Sequence, residues 1–367
     1  MTSTSCRTMQ VIFLKILSSS AAIVATFMTL STLLMVNLLN SSGHHAGRSG
    51  PGGWDLGHHR SSAGRQIMTV PTEDHTLSAF DELVATVWNP AGYGAPGRPV
   101  PACRTDSPMV ILVTSAPEHQ DRRKAIRETW ARDWTSPDGN ATAWRTIFLI
   151  GRSPQPAVDA RVARESALYG DILTGDYLDS YRNLTLKVQY GMAWVLQHCR
   201  PQFLLKTDDD CFVNAKALTS FLTSDEQESR TGLYVGFSVR TLDVIREETS
   251  RWYVSRESYR PARFLPHASG TGYVVSGDVL QSMVRTAPYV RPFAAEDAYA
   301  GLLAHYADVT LVDSSRFALN NVNWRLCNYL FLLVVHNVTP DQQILGLRYS
   351  IEAPTKCNNQ PTHKSWN

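Results

Sequence analysis

The chain has 367 residues, of which 43% are hydrophobic and 19% charged, and a formal net charge of +2. That composition builds a full core and offers no strongly basic surface, so nucleic acid is not an indicated partner. No CxxC or Cys/His spacing suits a structural zinc.

From Ile16 to Leu39 no residue is charged. The stretch exceeds both the roughly 20 residues a membrane-spanning helix needs and the roughly 7 to 15 of a cleaved signal's apolar region, which predicts a retained anchor. Arg7 and Lys15 precede it and Arg48 is the next charge. The positive-inside rule therefore puts residues 1–15 in the cytosol and the remainder in the lumen. Sequons at Asn40, Asn140, Asn183 and Asn337 agree with that placement, each a weak pattern alone. In such an oxidising compartment five cysteines remain; Cys211, in an apolar context, is expected to be the free thiol, and the other four to form two bridges whose pairing is open.

Residues 40–104 turn to Gly, Ser, Pro and His and read as a flexible luminal stem, with only Thr76 to Trp88 weakly helical. A folded domain is expected over 105–357, followed by a tail at 358–367. Met109 to Val113 reads as a buried strand. Ile126, Trp130 and Trp134 repeat every four residues, predicting an amphipathic helix from Asp121 with Arg122, Arg123 and Arg127 near its start. Thr146 to Ile150 is a second strand. Asn183 to His198 is a helix with Leu184, Val188, Met192 and Val195 on one face, and it leads into a third strand at Phe203 to Leu205. A short helix after Asn214, a strand at Leu233 to Gly236, and an irregular region rich in Arg, Tyr and Trp follow. Strands alternating with helices predict an α/β sheet with a right-handed, Rossmann-like first half.

The third strand runs directly into Asp208, Asp209 and Asp210. The carboxyl end of a buried strand opens onto the crevice where α/β proteins bind ligands. Three adjacent carboxylates repel one another unless a cation or hydrogen-bond donors compensate, and oxygen ligands suit Mg²⁺ or Mn²⁺. An isolated acidic run is more often a solvated turn.

Five ordered blocks, Arg123-Lys-Ala-Ile-Arg-Glu-Thr-Trp130, Asn183-Leu-Thr-Leu-Lys187, Lys206-Thr-Asp-Asp-Asp-Cys-Phe-Val-Asn214, Ser269-Gly-Thr-Gly-Tyr-Val-Val-Ser276 and Glu296-Asp-Ala-Tyr-Ala-Gly301, resemble the β-1,3-galactosyltransferase and β-1,3-N-acetylglucosaminyltransferase family, with its fringe-related members. The resemblance covers roughly 105–340. It implies a GT-A fold, a Rossmann-like nucleotide-binding half plus an acceptor-binding half on a mixed central sheet, in a Golgi type II membrane protein. It further implies inverting transfer of a hexose, galactose favoured over N-acetylglucosamine, from a UDP-sugar to the 3-hydroxyl of a glycan on glycoprotein or glycolipid.

By that resemblance Asp210 binds the metal, with Asp208 and Asp209 against the ribose and the metal's water shell. His336, at the end of the apolar run Tyr329 to Val335, is a second metal ligand, and an imidazole favours Mn²⁺ over Mg²⁺; a capping or core histidine is the alternative. Asp297 is the base that takes the acceptor proton, while Glu296 orients a hydroxyl or an amide; without the family, both read as acids capping a helix. Gly270, Thr271 and Gly272 lie by the donor sugar. Lys187, Lys206, Arg123 and Arg127 supply charge to the diphosphate or fix the loop around uridine, each with a surface role as the alternative. Trp252, Tyr253 and Tyr259 are candidates for stacking on sugar, and equally for packing.

Two departures stand out: Ala268 and the Leu302–Leu303 region occupy places where relatives commonly carry cysteines, a joint absence consistent with a lost bridge. Pro266-His267 replaces a usually aromatic-rich pair, which touches donor or acceptor preference. A catalytically silent relative serving as a luminal binding protein predicts erosion of the acidic triplet or the Glu296-Asp297 block, and neither is eroded. Self-association of the stem-anchored chain into a homo-oligomer is a further expectation.

Overall fold

The computed structural model describes residues 88–97, 100–103, 108–131, 144–223, 231–320 and 325–357. The expected anchor at 16–39, the cytosolic and C-terminal tails, most of the stem, Asn40 and Asn140 lie outside them. Among the described residues no helix is long and apolar enough to cross a membrane.

The first half alternates as expected: β1 Met109–Thr114, α1 Gln120–Glu128, β2 Trp144–Arg152, α2 Pro156–Tyr169, β3 Ile172–Leu178, α3 Leu184–His198 and β4 Phe203–Asp208. The second half comprises β5 Cys211–Val213, α4 Ala215–Thr223, β6 Tyr234–Val239, β7 His267–Ser276, α5 Gly277–Thr286, α6 Glu296–Tyr306, β8 Leu311–Asp313, β9 Phe317–Ala318, β10 Val334–His336 and α7 Pro340–Lys356. Seven strands form one mixed sheet in the order β3-β2-β1-β4-β7-β6-β8. Strands β3, β2, β1 and β4 are parallel, and β7 runs antiparallel to both β4 and β6. A small sheet, β5-β10-β9, lies beside it.

The central strands β1 and β4 open as unbroken apolar runs because both faces are covered. Val110, Leu112, Leu149 and Leu204 share one core with Val188, Met192 and Val195 of α3. Met109, Ile111, Val113, Phe203 and Leu205 share the other with Ile126, Trp130, Phe212 and Val334. Helix α3 approaches closely at Gly191, where a Cβ would stand 2.6 Å from Leu149 Cδ2 and 2.7 Å from Leu112 Cδ2.

Three expectations need correction. The apolar run 329–335 is not one strand: Leu326–Leu330 forms a 3₁₀ turn and only Val334–His336 is extended. The turn's Tyr329 is buried against Phe212 and Tyr349, so its apolar character serves packing rather than sheet pairing. The packed domain also begins before 105. Trp88 donates its indole N–H to the carbonyls of Ala287 and Val290 at 2.6 and 3.0 Å, Tyr93 meets the Tyr177 ring, and Gly94 bridges Gly175. Helix α2 and strand β3 complete the alternation where the sequence reading placed no element. Cysteines pair as Cys103–Cys199 and Cys327–Cys357, and Cys211 is a buried free thiol.

Candidate active site

In the strand order 3-2-1-4 the connection reverses direction between β1 and β4, the place where a doubly wound sheet leaves a crevice at its carboxyl edge. Thr114 and Asp208 are register partners there. The Thr114 hydroxyl donates to Asp208 Oδ1, which also accepts from Lys206 Nζ at 2.9 Å. Asp209 points inward: its Oδ2 pairs with His119 Nδ1 at 2.8 Å and its Oδ1 with Arg122 at 2.9 Å. Burial opposes ionisation of Asp209, but the His119 hydrogen bond and the positive charges of His119 and Arg122 outweigh it and hold the carboxyl below its ordinary value. Both partners sit at the start of α1, and neither was singled out as a site residue in the sequence. Nothing in the spacing links position 119 to position 209; only the fold does.

Asp210 faces outward beside His336. Antiparallel pairing of β5 with β10 sets His336 against Cys211, so the imidazole stands next to the preceding carboxylate, Nε2 to Oδ1 at 3.6 Å. His336 Nδ1 donates to the Leu319 carbonyl at 2.8 Å, which leaves Nε2 as the nitrogen that faces Asp210. Burial and the charge of Asp208 raise the Asp210 pKa, with His336 acting in the opposite sense. One carboxylate oxygen and one imidazole nitrogen, side by side and crowded by two further acids, are a donor set that fits Mn²⁺. Among the described residues no three such groups converge to enclose a cation. The pair therefore leaves coordination positions for ligand oxygens and water.

Lys206 is the hub of the site. Fully buried, it donates to Asp208 Oδ1, to the Gly270 carbonyl at 2.7 Å, and pairs with Glu296 Oε2 at 3.2 Å. Although burial disfavours its charge, Asp208 and Glu296 prevail and keep it protonated far above neutrality. Glu296 accepts the Tyr273 hydroxyl at 2.6 Å, also in the interior. Asp297 follows it in the first turn of α6. Its Oδ2 accepts the Gly270 N–H at 3.0 Å and its Oδ1 the Ala298 N–H at 2.9 Å. Helix α6 lies close on β7 because position 301 lacks a side chain; a Cβ there would stand 2.4 Å from His267 Cβ.

The remaining expected residues divide. Thr271 accepts the Thr207 hydroxyl and the Cys211 thiol on its carbonyl. Gly272 is where β10 approaches β7: a Cβ would stand 3.1 Å from Val334 Cγ1. Lys187 is buried, spanning Asp179 Oδ2 at 2.7 Å and the Ser115 carbonyl at 2.8 Å, and burial lowers its pKa. It braces the loop after β1. Arg123 is fully buried in a two-point pair with Glu165, and it also holds Ser115 and the Ala116 and Pro117 carbonyls. Arg127 binds Glu165 and Asp171 and lies on the rings of Phe148 and Tyr169. With every N–H edge of Arg123 committed to the protein, these two arginines hold the loop after β1, the second of the two roles expected of them. Tyr259 is buried against Phe264 and Phe293, whereas Trp252 is exposed. Asn183 donates to the Leu178 carbonyl, and its sequon partner Thr185 is buried on the Phe293 carbonyl. Asn337 is exposed and left-handed, φ 63°, directly after His336.

A crevice lined by acids, one outward imidazole and a helix-capping carboxylate defines an α/β enzyme site. The galactosyltransferase family model matches residues 121–315, just over half of the chain, which include the three acids, Lys206, Gly270, Glu296 and Asp297 but not Thr114, His119 or His336. The chain belongs to the galactosyltransferase family, whose chemistry is glycosyl transfer. It is 34% identical over 242 residues to β-1,3-galactosyltransferase 1 of Homo sapiens and of Mus musculus, covering 65% of this chain and 73% of the relative. It is also 34% identical over 244 residues to β-1,3-galactosyltransferase 5 of Pan paniscus, covering 65% and 79%. Among solved structures it is similar to galactosyltransferase LgtC in complex with donor and acceptor sugar analogues, with 13% identity, 67% and 95% coverage and a TM-score of 0.32. It is similar too to the bifunctional glycosyltransferase WbbM, with 10% identity, 69% and 51% coverage and a TM-score of 0.37. At those scores neither structure adds to the assignment.

Proposed function

We propose that the protein is an inverting transferase of GT-A type that moves a hexose, galactose in preference to N-acetylglucosamine, from a UDP-sugar to the 3-hydroxyl of a glycan. The identity to two β-1,3-galactosyltransferases supports the donor and the linkage. One observation carries the site: Lys206 binds Asp208 and the Gly270 carbonyl while the Gly270 N–H holds Asp297, so a single glycine ties the acidic crevice to the proposed base.

Asp210 and His336 would hold Mn²⁺, with Mg²⁺ as the weaker fit to an imidazole. When bound, the cation offsets charge on the diphosphate leaving group. Asp208 and Asp209 shape the crevice beside it, Asp209 kept anionic by His119 and Arg122. Single displacement requires one base on the acceptor side, and Asp297 supplies it: its carboxylate is held by two backbone N–H groups and accepts the proton of the attacking hydroxyl. Golgi placement follows the family resemblance and a luminal catalytic domain the charge asymmetry around 16–39, and glycoprotein or glycolipid glycans are the acceptors.

Release of UDP from UDP-galactose and UDP-N-acetylglucosamine by the purified full-length protein, with methyl β-galactoside or methyl β-N-acetylglucosaminide, tests the reading. Acceptor-stimulated release from one donor that EDTA abolishes and Mn²⁺ restores is expected. Release insensitive to both acceptor and EDTA overturns it.

A further inference from the structure

Trp252, in the loop between β6 and β7, leaves 48% of its surface in water, and Tyr181, in the turn after β3, leaves 42%. They form one surface. The Trp252 side chain is hydrogen-bonded to the Tyr181 hydroxyl, and the Arg251 guanidinium lies over both rings, 4.2 Å from the Trp252 centroid and 5.7 Å from that of Tyr181. Beside them Arg182 donates to the Glu248 carbonyl at 3.2 Å, joining the turn to the loop a second time. Burial, then the nearby charges of Asp297 and Asp208, raises the Tyr181 pKa. Tyr181, and with it the platform, therefore lies within electrostatic reach of the two carboxylates assigned to opposite sides of the reaction.

Aromatic faces pre-set by hydrogen bonds and a stacked cation offer a rigid apolar platform at low entropic cost. A pyranose meets such a platform through its C–H face. A β-galactoside carries H3, H4 and H5 on one face as an unbroken apolar patch, and its 3-hydroxyl is equatorial, in the plane of a sugar lying flat. β-N-acetylglucosaminides divide their axial C–H bonds between the two faces. We infer that Trp252 and Tyr181 form the acceptor subsite, stiffened by Arg251, and that it takes a terminal β-galactoside by its C–H face with the 3-hydroxyl turned to Asp297.

This rests on the transferase reading, and the test separates the two. Saturation-transfer NMR of methyl β-galactopyranoside on the full chain with UDP and Mn²⁺ needs no turnover. The strongest saturation is expected at H3, H4 and H5, falling at least fivefold in Trp252→Ala and recovering in part in Trp252→Phe. In turnover, Trp252→Ala should raise the acceptor KM tenfold or more with the donor KM unchanged. No saturation in the wild type, or a pattern unaltered by Trp252→Ala, overturns the subsite. If the wild type transfers sugar and Trp252→Ala keeps the same acceptor KM, the subsite fails while the transferase stands. If the galactoside is saturated as expected but no donor yields UDP, the transferase reading fails and the galactoside subsite stands.

Discussion

Lys206 and Glu296 form a buried ion pair, Nζ to Oε2 at 3.2 Å, across the boundary between the strand that ends in the acids and the helix that begins with the proposed base. Removing one partner of a buried pair leaves the other uncompensated and costs about 3 to 5 kcal/mol. Lys206→Met should therefore lower stability by about that amount, read from urea midpoints. Glu296→Gln keeps the Tyr273 hydrogen bond in reach and should cost less. A Lys206→Met variant as stable as the wild type would mean that the pair contributes little.

Asp297→Asn preserves an oxygen for the Gly270 N–H while removing basicity. Transfer should fall by about 10² to 10⁴, with UDP affinity measured by calorimetry unchanged. A comparable loss of UDP binding would make the residue a structural cap.

The Glu165 network predicts a pH dependence. Burial pushes this carboxyl up, but the hydrogen bonds and charges of Arg123 and Arg127 outweigh that and hold it below its ordinary 4.5. A depressed carboxyl stabilises the fold above its unfolded value and loses that contribution as pH falls through the lower folded value. Thermal midpoints should thus decline below about pH 4.5, and Glu165→Gln should be less stable at neutral pH with a flatter acid limb. An unchanged acid limb in Glu165→Gln would remove this site from the acid transition.

Gly301 sets how near α6 lies to β7. Gly301→Ala should cost about 1 to 3 kcal/mol through overpacking against His267 and lower kcat more than donor affinity, because the shift moves Asp297 relative to Gly270. Wild-type kcat in a folded variant would show that the helix position is not set there.

The two bridges close loops of different length, with sequence separations of 96 and 30. On the chain-entropy account they contribute about 4.7 and about 3.6 kcal/mol, so Cys199→Ala should lower the thermal midpoint more than Cys357→Ala. The reverse order would point to native-state contacts at Cys357.

What the sequence discloses is what is contiguous. Phe203 to Asp208 announces a buried strand meeting acids because burial and charge adjoin in six positions, and the structure places them as read. The helix over Leu184–His198 is legible for the same reason. Strand β3 is not: Ile172-Leu-Thr-Gly-Asp-Tyr-Leu mixes apolar and polar residues too irregularly to give a period of two. The roles of Arg123 and Asp209 depend on partners 42 and 90 residues away, which no local pattern contains. His336 keeps its expected place although the run before it is mostly turn, because only its last three residues must pair with β5.

The Cys103–Cys199 bridge has a mechanical meaning. A pull on the chain ahead of Trp88 would first peel away the segment from Trp88 to Gly97, which is held by two indole hydrogen bonds, backbone bonds from Trp88 to Pro288 and from Ala95 to Thr174, aromatic contacts and a β-bridge. It would then stop at a covalent bond anchored just beyond α3, at the amino edge of β4. Force delivered there enters the sheet at the end opposite the carboxylates. The bridge is a strain relief, taking up tugging and thermal drag on the leading segment before they reach the crevice.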